Sequence, residues 1–260
     1  MIRVEDVFVV FCRGTPLERV ALRGINFTVK DGEIVSVIGN NGSGRSTLLK
    51  FLAGHIVSSF GRIWLDKADI TRQSLAERSN YVSSVFYDET IGSAGNLTLL
   101  ENLAIASMHH QSKSILAPAV EEEMREVFFQ QLKELNFMGM EDLLDEKVCN
   151  LSKPQRHVLA LLIAVIKEAK LILIDEHSTG LDKESADALQ EVTDKIIRSK
   201  KITTIMAVSD PKFAIEASDR VLVLNHGQIV LQIDTKNKSK IKMEEIYDSF
   251  NIIPTVKEAK

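Results

Sequence analysis

Residues Glu33–Gly54 read EIVSVIGNNGSGRSTLLKFLAG, an apolar run, a glycine-rich turn and then apolar residues at helical spacing. The run EIVSVIG is expected to be a strand. After the turn, Leu48, Leu49, Leu52 and Ala53 fall on one face of a helix. Between them the glycines of GNNGSGRST, Gly39–Thr47, let the backbone curl so that successive N–H groups point at one anion. The dipole of the following helix adds to that field. Strand, glycine loop and helix in this order read as a phosphate-binding loop. Gly39, Asn40, Asn41, Gly42, Ser43 and Gly44 form its cradle, Ser46 is placed to ligate Mg²⁺, and Thr47 is placed to hydrogen-bond a phosphate.

One position departs from the usual pattern: Arg45 stands where a lysine is expected. Lysine is a compact point charge reaching between β- and γ-phosphates, whereas arginine is a bulkier planar fork with differently aimed donors. Binding is expected to survive the exchange. Turnover is expected to be slow, because reacting geometry is sensitive to shifts of about an ångström.

A second stretch, LILIDEHSTGLD (Leu171–Asp182), is an apolar strand ending in adjacent carboxylates. Asp175 at the strand end is suited to hold Mg²⁺, directly or through water, and Glu176 to orient or deprotonate the attacking water.

The remainder of the chain sets these two motifs in an α/β frame. VEDVFVVF and INFTVKDG precede the loop as strands, and LILID, ITTIMAV and RVLVLNHGQIVL follow as near-continuous apolar strands separated by helical stretches. That alternation implies a mainly parallel sheet covered on both faces. From about Leu99 to Val165 helical periodicity dominates, as an inserted lobe would. Within it Val120, Met124, Val127, Phe128, Leu132 and Leu135 form one apolar stripe. Trp64 and the methionines read as core, and the lysine cluster after residue 235 as a solvated linker.

Composition narrows the function. The chain has 260 residues, enough for one large domain or a domain with an inserted lobe. Acidic residues outnumber basic ones, 36 to 32, for a formal charge of -4, which does not favour a nucleic-acid partner. Cys12 and Cys149 are far apart and lack a metal-ligand pattern, so reduced thiols are expected. The longest greasy segments, residues 158–166 and 171–174, fall far short of a bilayer span. No signal peptide is read at the start, and a membrane role is expected to come through a partner. The pair His109-His110 has no neighbouring ligands at suitable spacing and reads as a polar helix-end dipeptide. His177 reads as a turn residue.

Together these stretches resemble the ATP-binding cassette (ABC) family of ATPases over roughly residues 2–232, with DEH, the later LD and FCRGT similar to a bacterial uptake branch. The resemblance implies an α/β fold with a P-loop NTPase core: a mainly parallel sheet with flanking helices, an N-terminal antiparallel β part and an inserted helical subdomain. It implies one nucleotide-binding domain over residues 1–235, with core 1–95 and 166–235, a helical insert at about 96–165 and a C-terminal tail over 236–260. ATP and Mg²⁺ are the implied cofactors. The implied partners are transmembrane permease subunits, a second cassette of the same or a different chain and a solute-binding protein, at the cytoplasmic face of the inner membrane. Phe11 lies where the family's adenine-stacking aromatic falls, although an ordinary core phenylalanine is the competing reading. Asp182 closes a matching D-loop, STGLD.

Other stations are altered. Tyr87 replaces the family's glutamine, Ser209 its switch histidine, and Lys153 and Pro154 the two glycines of the signature, here LSKPQ (Leu151–Gln155). Ser152 and Gln155 remain. Pro154 cannot donate a main-chain hydrogen bond and restricts Lys153, yet a proline in the first turn leaves the signature helix able to form. Lys153 is expected to put a charge beside the partner's γ-phosphate. Four altered stations together argue against an efficient motor.

Overall fold

The computed structural model of the chain describes residues 1–85, 93–108, 122–175, 181–236 and 241–251. In chain order the first elements are β1 (Ile2–Phe11), β2 (Arg19–Val29), β3 (Ile34–Ile38), α1 (Arg45–Ala53), β4 (Phe60–Leu65), β5 (Ala68–Asp69), α2 (Leu75–Arg78) and β6 (Val82–Val85). Then come α3 (Leu99–Ser107), α4 (Glu122–Leu135), α5 (Lys153–Ile166), β7 (Leu171–Asp175) and α6 (Lys183–Lys200). The last are β8 (Thr203–Ala207), α7 (Pro211–Ala217), β9 (Arg220–Asn225), β10 (Gln228–Asp234) and α8 (Met243–Ser249). They form two compact units, one of Met1–Val82, Lys170–Glu176 and Lys201–Lys260, the other of Ser83–Ala169 and His177–Lys200.

The first unit holds two sheets. One is antiparallel, in the order β2-β1-β4-β5. In the other, β9, β3, β8 and β7 run parallel, and β10 closes the β9 edge antiparallel. Every residue of β3, β7 and β8 is buried, which explains why these segments read as unbroken apolar runs rather than alternating ones. Parallel pairing in the registers Val37↔Ala207 and Asp175↔Ala207 brings the C-terminal ends of β3, β8 and β7 out on one edge. In open α/β sheets that edge is where ligands bind.

Helix α1 packs against β7 and β8, and its Leu48, Leu49 and Leu52 are fully buried. Each such leucine contributes about 1.5–3 kcal/mol. Its last turn is held by Arg78, only 1% exposed, which donates to the carbonyls of Phe51 and Leu52 at 2.6 and 2.9 Å and of Ile70 and Thr71 at 2.8 and 3.2 Å. The chain beyond residue 235 adds a packed element: α8 rests on β9 and β10 with Ile246 fully buried. Asn225 Nδ2 donates to the Ser249 and Phe250 carbonyls at the end of that helix.

The second unit is helical. α3 packs on α4 and α5, and α5 on α6, so this unit includes the 183–200 helix as well as the 96–165 span read as the insert. Four main-chain bonds stitch residues 95–100 to 144–149: Leu99 N to Glu146 O, Leu100 N to Leu144 O, Val148 N to Leu97 O and Cys149 N to Gly95 O. The stripe on α4 is narrower than its periodicity implies. Phe128 and Leu132 are buried but Val127 is 48% exposed, and Val120 lies outside the described residues. Trp64 and two methionines depart from the core reading too. Trp64 is half-buried with the Arg3 guanidinium 4.2 Å from its ring, while Met1 and Met138 are exposed. Among the described residues no helix is long and apolar enough to cross a membrane.

Candidate nucleotide site

The Gly39–Thr47 loop sits on the edge where the parallel strands end. Gly39 is required sterically, because a Cβ there would fall 2.1 Å from the Leu224 carbonyl oxygen. Gly44 is required conformationally: its φ is 108°, and a Cβ would meet the Ala21 carbonyl at 2.8 Å. The loop is braced from beneath. The Gly227 amide, in the β9–β10 turn, donates to Ser43 O at 2.8 Å, and the Arg23 amide donates to Gly227 O at 2.7 Å.

Helix α1 starts on Gly44 with no side-chain cap and no acidic residue in its first turn. The first amides of a helix have no intrahelical acceptor, so this end presents donors and a positive dipole to an anion. The Ser43 hydroxyl, in the same loop, is buried and has no hydrogen-bond partner among the described residues. A cradle of unsatisfied donors fits a polyphosphate.

Beside the cradle, Ser46 Oγ lies 3.4 Å from Asp175 Oδ1, and the Asp175 side chain is buried at the end of β7. Two hard oxygen donors so placed suit Mg²⁺, which takes one or two carboxylates and leaves its other positions to phosphate and water. Among the described residues no cluster of three His, Cys, Asp or Glu side chains forms a rival metal site.

Arg45, the position that departs from the usual loop, has a definite partner. Its side chain is 7% exposed, and Nη1 donates to Val208 O at 2.7 Å and to Ser209 Oγ at 3.3 Å. The altered loop cation and the altered switch position, read as separate departures in the sequence, are therefore one contact. Val208 continues from β8, and its own amide donates to Val37 O at 3.0 Å, so Arg45 ties the start of α1 to the sheet edge.

Phe11, at the end of β1, is 39% exposed rather than packed in the core. Phe11, Gly39–Thr47, Asp175 and Ser209 thus all belong to the first unit. Ser152, Lys153, Gln155 and Asp182 belong to the second. There Ser152 caps α5: its Oγ accepts from Gln155 N at 3.4 Å, and Gln155 Oε1 accepts from Ser152 N at 2.9 Å. Gln155 Nε2 also donates to Met138 O at 3.0 Å. The helix forms with Pro154 in its first turn, as the sequence implies. Asp182 accepts from the Ser185 amide and hydroxyl, and those bonds hold its carboxyl below the ordinary range. Tyr87, Glu176, His177 and the pair His109-His110 lie outside the described residues.

Two residues escaped the sequence reading. Arg78 gives no motif, and only its burial marks it. Gly227 sits in the turn dipeptide His226-Gly227, whose form predicts a turn but not that the turn props the phosphate loop.

Comparison with known proteins identifies the family and the fold. The family model described as ABC transporter matches residues 22–179. A tyrosine transport ATP-binding protein of Clostridioides difficile is 35% identical over 87% of this chain and 89% of that protein. A solved structure of cbiO1 from Clostridium perfringens, part of the ABC transporter complex cbiONQ, superposes with TM-score 0.75 at 25% identity, covering 95% of this chain and 92% of that one. A dimeric ATP-binding cassette solved in a post-hydrolysis state with ADP and phosphate shares the fold, with TM-score 0.75 at 21% identity over 91% of this chain and all of that one. The family model and the relative that is 35% identical both place it: the chain belongs to the ABC transporter family of ATPases.

Proposed function

We propose that this chain is the ATP-binding subunit of an uptake system, docking on separately encoded permease subunits at the cytoplasmic face of the membrane. The observation that carries the reading is the uncapped start of α1 facing a glycine cradle, with Ser46 and Asp175 alongside. ATP would lie with its base against Phe11 and its phosphates on the amides of Gly39–Thr47. Ser46 and Asp175 would hold Mg²⁺, which when bound supplies charge neutralisation for the phosphates. Glu176 would take a proton from the attacking water. Closure of two cassettes, the same or different chains, would bring Ser152 and Lys153 of one to the γ-phosphate of the other. The identity to a tyrosine transport protein supports an amino-acid cargo, selected by the permease and a solute-binding protein.

Hydrolysis is slow or asymmetric in this proposal. The contact that favours it is Arg45 with Val208 and Ser209, which commits the loop cation to the protein. The test is ATP affinity and turnover of the full chain, alone and with its permease. Turnover in the complex that Glu176→Gln abolishes supports catalysis through this subunit. Nucleotide binding without Glu176-dependent turnover would instead leave an ATP-gated regulatory subunit, and no binding in either setting would refute the proposal.

A further inference from the structure

With Arg45 turned onto Val208 and Ser209, the loop's own cation is bound to the protein, and another arginine stands outside the same loop. Arg19 opens β2 and is the direct cross-strand partner of Phe11, the last residue of β1. Residues directly opposite in an antiparallel pair project from the same face of the sheet, with Cβ atoms about 4.5–5.5 Å apart. The Arg19 guanidinium and the exposed Phe11 ring therefore leave the sheet side by side.

Arg19 also reaches the loop. A Cβ built at Gly42, the midpoint of the cradle, has one neighbour within 4 Å, and that is Arg19 Nη2 at 3.8 Å. The arginine is exposed and makes no hydrogen bond or ion pair among the described residues. The acid next to it in sequence does not neutralise it, because Glu18 Oε2 accepts from the Gly14 amide at 2.7 Å and closes its own turn.

We infer that Arg19 is the cation that meets the polyphosphate of the bound nucleotide, reaching it across Gly42 from beside Phe11, while Arg45 is a positioning residue that fixes the start of α1 to the end of β8. This rests on the reading of the loop as an adenine-nucleotide site and adds a ligand to it. A planar guanidinium suits the task, since it offers two parallel donors to neighbouring phosphate oxygens and stays charged at every working pH. A glycine at position 42 keeps the approach open, because any side chain there would occupy the space next to Nη2.

The test is calorimetric binding of ATP, ADP and adenosine to the full chain and to its Arg19→Gln, Arg19→Lys and Arg45→Gln variants, with thermal unfolding of each. Arg19→Gln is expected to weaken ATP and ADP roughly 10- to 100-fold, the range for losing a charge-assisted contact. Adenosine affinity is expected to stay within twofold and the unfolding midpoint within about a degree, as for an exposed side chain away from the core. Arg19→Lys is expected to recover part of the loss, and Arg45→Gln to lower the midpoint by several degrees. ATP and ADP affinities within twofold of wild type in Arg19→Gln would overturn the inference. So would an equal loss of adenosine, or a fall in midpoint that accounts for the weaker binding. If the wild-type chain binds neither nucleotide, the nucleotide-site reading itself fails, whatever the variants do.

Discussion

Replacing Arg78 with methionine should destabilise the first unit far more than a change at an ordinary arginine. The guanidinium is 1% exposed and serves four carbonyls, two at the end of α1 and two in the Ile70–Thr71 turn. Phe51 O and Ile70 O keep other donors, the amides of Gly54 and Gln73, when Arg78 is removed. Leu52 O and Thr71 O keep none among the described residues. Each abandoned buried acceptor costs about 1–3 kcal/mol. The side chain's own burial works the other way, since taking the cation out of water pushes its pKa down, and methionine recovers that desolvation. The balance is a loss of about 2–4 kcal/mol, or roughly 4–16 °C in the midpoint for a chain of this size. Trp64, the chain's single tryptophan, lies in β4 of the same unit, so its fluorescence during thermal and urea unfolding reports the effect directly. Arg78→Lys should lose about half as much, because one ammonium reaches one side of the bridge but not both. A midpoint shift below about 2 °C for Arg78→Met would show that the four contacts add nothing net, and the reasoning from abandoned carbonyls would be refuted.

Arg45→Lys should give up the Val208 carbonyl and place a point charge in the loop, raising turnover of the assembled complex severalfold while lowering the midpoint a few degrees. Unchanged turnover would count against a rate role for this position. Gly39→Ala should weaken ATP binding more than tenfold in calorimetry, because its Cβ would overlap the Leu224 carbonyl and push the loop outward. Ser152→Ala should cost about 1 kcal/mol in urea unfolding of the second unit through loss of the α5 cap, while affinity for ADP, which has no γ-phosphate, stays unchanged. Asp66 should titrate at about 2, held there by Lys170 first and then by the N-terminal ammonium. A carboxyl depressed in the folded state stabilises it above the ordinary pKa of 3.8, and that contribution fades as pH falls from about 4 to 2. NMR titration of Lys170→Ala should find the Asp66 carboxyl moved back toward 3.8.

The glycine loop, the carboxylate at the end of β7, the helical block and the parallel sheet are all legible in the amino-acid sequence. Each rests on local chemistry: Gly39 and Gly44 answer to backbone sterics, the apolar runs at 34–38 and 171–175 to burial on two faces, and Ser152 with Gln155 to the needs of a helix start. Such demands are met by residues a few positions apart, so spacing alone reveals them. The apolar stripe on α4 was overread because periodicity marks which residues share a face but not how much of that face finds a neighbour. Val127 shows the gap.

What the sequence determined by itself is the family of the chain: a strand, a curled loop and a helix shaped to fit phosphate, and a carboxylate at the end of a later strand. Tertiary structure alone decided how its cations are used. Arg45 and Ser209 are 164 positions apart and meet at 3.3 Å, Arg78 clasps a helix 26 residues upstream, and Arg19 comes to Gly42 only because β2 pairs with β1 in one register. A long charged side chain carries no periodicity and tolerates many settings, so its partner is fixed by which strand ends converge on it and by the cost of leaving a buried donor or acceptor unmet.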